Sequence, residues 1–250
     1  MKQNSFISVI LTVACSLMFV ACSDWTEPTP VDYNPIFPDE QAPSLHEKYE
    51  QSLKEYKNRK HTLMLICFTN NPGTTLGEQD FLRSLPDSVD FVVLTNADNL
   101  SVYDKKDISK LKRTGTKFLY YKNLSEFYDQ CEETENLEEF KTKMNAALKN
   151  GESDEFDGYY VQFGRAGSMM HVDFFNEVTT AIREKLAAIG GPKANNGKLV
   201  FFDGIVTFTV DYSGRYEEPF IDLVDYFVDG QIVLLESSLE IKLNMSQPVG

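Results

Sequence analysis

One tryptophan, three histidines and four cysteines among 250 residues leave little material for several common chemistries. His46, His61 and His171 are too scattered for a metal site or a Ser–His–Asp triad, and no zinc-type spacing of Cys and His occurs. The run "NNPGTTLG" after the first predicted strand carries Gly73 and Gly77. It forms neither a G-x-G-x-x-G loop nor a P-loop with its Lys, which excludes the usual nucleotide cradle. No cofactor is expected. Positive charge is also scarce, with 24 Lys and Arg against 38 Asp and Glu and a formal net charge of −14. Such a balance opposes phosphate backbones and anionic headgroups, so nucleic acid is excluded as a partner class.

The first residues follow different rules from the rest. Lys2 gives a short positive region, and residues 6–21 are free of charge. This run falls short of the ~20 residues that a membrane span needs. It ends in "FVAC", where Ala21 precedes Cys22. A small residue before Cys is what lipoprotein signal peptidase requires, so residues 1–21 are read as a signal peptide and Cys22 as the lipidated N-terminus. An ordinary secretory peptide is the alternative. Removing residues 1–21 takes only Lys2 from the 24 basic residues, leaving 23 against 38 acids, a formal −15. Membrane attachment is therefore expected through the lipid only, at the cell-surface or periplasmic face of an outer membrane. Residues 22–43, with Pro28, Pro30, Pro35, Pro38 and Pro43, read as an extended tether. Cys15 is lost with the signal, leaving Cys67 in an apolar strand as a buried small hydrophobe and Cys131 in the acidic "DQCEETE". Whether these two pair stays open.

From Ser44 to the C-terminus the chain reads as one domain. Ser44 with Glu47 forms a capping box, opening a helix with Leu45, Tyr49, Leu53 and Tyr56 on its apolar face. Six strands follow, over residues 62–69, 88–95, 116–121, 156–163, 198–204 and 223–228. Helical segments fall near 78–85, 104–113, 137–148 and 174–189, and one more short element is expected after Val228. Strands alternating with helices imply a parallel α/β sheet, either open and doubly wound or a (β/α) barrel.

The lipobox with "CSDWTEP", then "LPDSVDFVVLTN", "GTKFLYY", "FDGYYVQFG" and "GPKANNGKLVFFDG", occur in an order and spacing that resemble lipoproteins of glycoside hydrolase family 18. The similarity is to the endo-β-N-acetylglucosaminidase-like branch found in polysaccharide-utilisation loci. It implies a TIM barrel with its site at the C-terminal ends of the strands. Six strands are recognisable where such a barrel has eight, which leaves open an incomplete barrel, strands that the letters do not reveal, or a truncated gene product. The family signature on the fourth strand is D-G-x-D-x-D-x-E, whose Glu protonates the leaving group while the neighbouring Asp orients the substrate's N-acetyl group. Aligned on Asp157 and Gly158, the later acids fall on Tyr160, Gln162 and Gly164. No side chain there can exchange a proton at neutral pH.

The resulting expectation is a non-catalytic glycan-binding protein that keeps the old cleft for N-acetylglucosamine-containing glycans. Asn70, Asn96, Tyr121, Tyr160, Gln162 and Asp203 lie near strand C-termini and are the candidate ligand contacts. For the aromatics, core packing is the competing role, and the only Trp, Trp25, lies in the tether. Two alternatives stand beside this reading. A divergent hydrolase could draw acids from Asp203, Asp211, Glu217 and Glu218. An accessory subunit of an outer-membrane glycan-uptake complex would bind no ligand and use exposed sheet edges to meet a partner.

Overall fold

The computed structural model describes residues 43–71, 73, 77–165, 170–205, 215–216, 218–229 and 245–246. The signal segment, Cys22, the tether with Trp25, Asp211, Glu217 and the stretch 230–244 lie outside the described residues. The chain divides into two compact units, Met1–Glu47 and Lys48–Gly250, and the sheet belongs to the second.

All six strands read from the sequence are present: β1 (Leu65–Phe68), β2 (Phe91–Leu94), β3 (Lys117–Asn123), β4 (Gly158–Phe163), β5 (Leu199–Gly204) and β6 (Tyr226–Asp229). They pair in sequence order and all run parallel. A short β7 (Met245–Ser246) adds antiparallel to β6. Winding in one direction without reversal is barrel topology rather than the doubly wound kind.

The helices are α1 (Pro43–Lys57), α2 (Val102–Lys112), α3 (Ser125–Cys131), α4 (Leu137–Lys149), α5 (Val172–Ile189) and the single turn α6 (Gly191–Ala194). Helix α1 starts one residue before Ser44, so Ser44 lies in its first turn and does not cap it. The capping box appears instead on α2, where Ser101 and Asp104 exchange bonds of 3.0 and 2.8 Å. The segment near 78–85 forms two 3₁₀ turns, and α3 was missed because its acidic, polar heptapeptide shows no apolar stripe. The turn that follows α2 closes at Gly115, whose φ of +87° is the left-handed geometry that a glycine takes without strain.

Side chains alternate across each strand and build two cores. Val92, Leu94, Phe118, Tyr120, Tyr159, Val161, Phe163, Val200 and Phe202 face outward and pack with apolar positions of α2 to α5. Leu65, Phe91, Val93, Leu119, Tyr160, Phe201 and Val228 face inward and form a second cluster. This inner cluster shows the sheet to be curled. In a flat sheet β2 and β6 would stand about 19 Å apart at ~4.8 Å per strand. The rings of Phe91 and Tyr226 nevertheless lie 5.6 Å apart, and those of Phe91 and Phe201 4.9 Å.

One device recurs at the N-terminal ends of the strands. Asp90, Asp157 and Asp225 each immediately precede an even-numbered strand. Their carboxylates accept the backbone N–H of Met64, just before β1, and of Phe118 on β3 and Val200 on β5, each at 2.8 Å. Their own N–H groups donate to the carbonyls of the same residues at 3.0, 2.7 and 2.9 Å. Each aspartate thereby stitches an odd strand to the next even one. Gly158 has a different task. A Cβ there would sit 2.2 Å from the Leu199 carbonyl oxygen, so the closeness of β4 to β5 excludes any side chain.

Candidate functional site

Strand register puts two rows of inward side chains at the C-terminal half of the sheet. Tyr121, Tyr160, Phe201 and Tyr226 pair across β3 to β6, and Asn123, Gln162, Asp203 and Val228 form the next row toward the strand ends. Tyr121, Tyr160, Gln162 and Asp203 are joined by hydrogen bonds. The Tyr121 hydroxyl donates to Gln162 Oε1 at 2.7 Å, Gln162 Nε2 donates to Asp203 Oδ2 at 3.0 Å, and the Tyr160 hydroxyl donates to the same oxygen at 3.1 Å.

Depth separates their roles. Tyr160 is 1% exposed and Asp203 4%, whereas Tyr121, Asn123 and Gln162 are half-buried. A molecule arriving at the strand ends therefore meets phenol and amide groups, with the carboxylate behind them. Burial and the Asp203 charge push the Tyr160 phenol far above its usual range, and burial with Asp203 raises Tyr121 as well. Both remain hydroxyls, able to donate a hydrogen bond and unable to act as bases at neutral pH.

Cys67 lies on the inner face of β1, but its side chain is exposed along the open edge of the sheet. That corrects the expectation of a buried hydrophobe, and its reason is positional: among the described residues β1 pairs with β2 alone. Desolvation of the thiol and the Asp203 charge push its pKa up to about 11, so it is a poor nucleophile. Cys131 is buried, and both thiols are free.

Asn70 and Asn96 stand apart from this network. Asn70 is fully buried; its Nδ2 donates to the Asn96 carbonyl at 3.0 Å, while Asn96 N and Nδ2 donate back to Asn70 Oδ1 and O at 3.1 Å each. The pair clasps the segments that follow β1 and β2. Asn123 was absent from the sequence candidates because β3 was ended at Tyr121. Continuing the two-residue period along that strand would have found it. Gly164 follows β4, its N–H bound to Ser125 Oγ at 3.0 Å, and a Cβ built on it meets no atom within 4 Å.

A parallel sheet that winds one way, curls on its inner face and gathers polar side chains at the strand C-termini defines an incomplete TIM-barrel-like α/β protein. The family profile of glycoside hydrolase family 18, BT1044-like, matches residues 26–183, well over half of the sequence, and the chain belongs to that family. Among solved structures, the chain is similar to the apo endo-β-N-acetylglucosaminidase from Cordyceps militaris at 16% identity and a TM-score of 0.50, covering 72% of this chain and 60% of that one. A substituted form of the same enzyme, in complex with fucosyl-N-acetylglucosamine-Asn, aligns at 17% identity and a TM-score of 0.48, covering 71% and 60%. A variant of BT1044 aligns at 18% identity and 0.49, covering 76% and 63%. At these identities the likeness concerns the fold. The chain spans about 60% of the length of these structures. No curated protein matches it.

Proposed function

We propose that this protein is a glycan-binding lipoprotein of a polysaccharide-utilisation system, holding a saccharide at the C-terminal ends of β3 to β5 without hydrolysing it. The observation that carries this reading is the composition of the inner row: amides at Asn123 and Gln162 and a single, buried carboxylate at Asp203. Family 18 hydrolysis needs a proton donor and a second carboxylate that orients the N-acetyl group. In the alignment on Asp157 and Gly158 those places hold Gln162 and the side-chain-free Gly164. The two residues of the signature that are retained have tasks in folding, Asp157 as a strand stitch and Gly158 as a close contact.

Tyr121, Gln162 and Asn123 are the groups that would touch the sugar, with Tyr160 and Asp203 holding them in place. N-acetylglucosamine-containing glycans are the expected ligand class, since the chain belongs to glycoside hydrolase family 18 and shares its fold with an endo-β-N-acetylglucosaminidase. Cys22 would carry the lipid and residues 22–43 would lift the domain from an outer membrane, where a glycan-uptake complex is the natural partner. Asp203 is the one feature that favours residual catalysis, as a carboxylate beside Gln162. The second acid would have to be Glu126, in the first turn of α3, whose charge acts on Tyr121 but which is exposed and lies off the strands. Glycan-array retention of the mature protein tests the site. Gln162→Ala and Tyr121→Ala should each abolish retention, and unchanged retention in both would remove this cleft as the binding site.

A further inference from the structure

We infer that the saccharide site continues across β2 to β1, where Thr69 and Thr95 form a hydroxyl ledge for a second sugar residue, so that the cleft takes an oligosaccharide rather than a single ring. The inference rests on the reading of the strand ends as a saccharide site, and adds two contacts and a ligand length to it. Phe68 pairs with Leu94 and Leu94 with Tyr120, so the next residues along, Thr69, Thr95 and Tyr121, stand side by side. Tyr121 pairs in turn with Tyr160. Side chains repeat every second residue on a strand, so both threonines face inward, beyond Cys67 on β1 and Val93 on β2. Their hydroxyls lie 3.0 Å apart, as that register requires.

Solvent reaches the sheet at this level. Leu65, Phe91 and Val93, inward residues nearer the strand N-termini, are buried, whereas Thr69 and Thr95 are exposed, as is Cys67. A row of hydroxyls thus runs from β1 through Tyr121, whose own hydroxyl donates to the Gln162 amide. The β1 end of that row is its open end.

A threonine pair across two strands also stabilises a sheet. Two observations give this one a further role. Its bonding leaves capacity of the kind a sugar uses: Thr95 Oγ1 donates to the Phe68 carbonyl at 3.4 Å, so the bond between the hydroxyls runs from Thr69 to Thr95. Both donors are then engaged and lone pairs remain on both oxygens to accept sugar hydroxyls. At the other end of the row Gln162 Nε2 carries a second hydrogen beyond the one given to Asp203. The pair is also held in place. Thr95 N donates to the Phe68 carbonyl at 3.0 Å, and the next residues along, Asn70 and Asn96, clasp each other through bonds of 3.0 and 3.1 Å. Hydroxyls fixed in this way lose little freedom when a ligand arrives. From β1 to β4 the row crosses three strand spacings, about 14 Å along the curved sheet at ~4.8 Å each, which is longer than one pyranose ring.

The test titrates the mature protein calorimetrically with tri-N-acetylchitotriose and with N-acetylglucosamine. The trisaccharide should bind at least about tenfold more tightly than the monosaccharide. Thr69→Val/Thr95→Val keeps side-chain shape and strand preference, so its circular dichroism should match that of the wild type. It should weaken trisaccharide binding on the order of tenfold, at roughly threefold for each hydrogen bond lost, and change monosaccharide binding less than about twofold. Cys67 gives a readout that needs no substitution. Its labelling by a methanethiosulfonate at mildly alkaline pH, followed by mass spectrometry of its peptide, should fall to background at saturating trisaccharide. Equal affinity for the two sugars, an equal loss for both in the double variant, unchanged trisaccharide affinity in that variant, or unprotected Cys67 would each overturn the inference. Glycan-array retention without trisaccharide binding would overturn it and leave the proposed function standing, whereas retention of no glycan would remove both.

Discussion

Replacing Tyr160 by Phe removes one oxygen and leaves the ring in place. The ring packs against Phe201, with centroids 6.5 Å apart, and Tyr121, at 6.1 Å, and neither contact uses the hydroxyl. What is lost is a 3.1 Å hydrogen bond to Asp203, from a donor that is 1% exposed to an acceptor that is 4% exposed. Water cannot easily replace it. A hydrogen bond to a charged group contributes about 1.5–3 kcal/mol, so Tyr160→Phe should lower unfolding free energy by that amount. The same change made in an Asp203→Asn background should cost only about 1 kcal/mol, the value for two neutral partners. Urea titration of the four proteins of this cycle measures both figures. A cost below about 0.5 kcal/mol, or the same cost in both backgrounds, would refute the view that an ionised Asp203 organises the site.

Three further outcomes follow from other parts of the structure. The Cys67 pKa of about 11, against an ordinary 9.0, lowers the thiolate fraction below pH 9 about a hundredfold. Iodoacetamide rates should therefore rise with a midpoint near 11 in the native protein, and a midpoint near 9 would show that the thiol is solvated rather than shielded from water. His61 contacts the Arg59 carbonyl through Nδ1 at 2.7 Å and Asp90 through Nε2 at 2.9 Å. The Arg59 carbonyl and then Asp90 raise its pKa, so its contribution is complete below the ordinary histidine range and is lost as pH rises through the higher folded value. In His61→Gln the fall in melting temperature just above pH 6.5 should vanish, and an unchanged pH profile would count against the pair. Gly158→Ala should cost at least about 1–3 kcal/mol or prevent folding, because its Cβ meets strand backbone. Circular dichroism and urea unfolding like those of the wild type would show that β4 and β5 are less close than described.

The strands were legible because parallel β-strands covered on both faces read as continuous apolar runs bounded by turns, as in "FVVL" and "LVFF". Helix α5 was legible for its long apolar stripe, from Phe174 to Ile189. Helix α3 was not, since only Phe127, Tyr128 and Cys131 mark it and its acids read as a loop. For the site, two-residue periodicity brought Tyr160 and Gln162 to one face correctly, and placed Asp203 beside them once the strands were aligned. Depth was not legible. Nothing in the letters separates Tyr160, which is buried, from Tyr121, which is half-buried one strand away. The pairing of Asn70 with Asn96 depends on two loops meeting, which no local pattern encodes.

Binding without cleavage is the centre of this account, and a time course of reducing ends tests it most directly. The mature protein, incubated with N-acetylglucosamine-containing glycans that it retains on an array, should release no new reducing ends over many hours. Release of reducing ends by the pure wild-type protein, abolished by Asp203→Asn, would contradict the account and make Asp203 a catalytic residue.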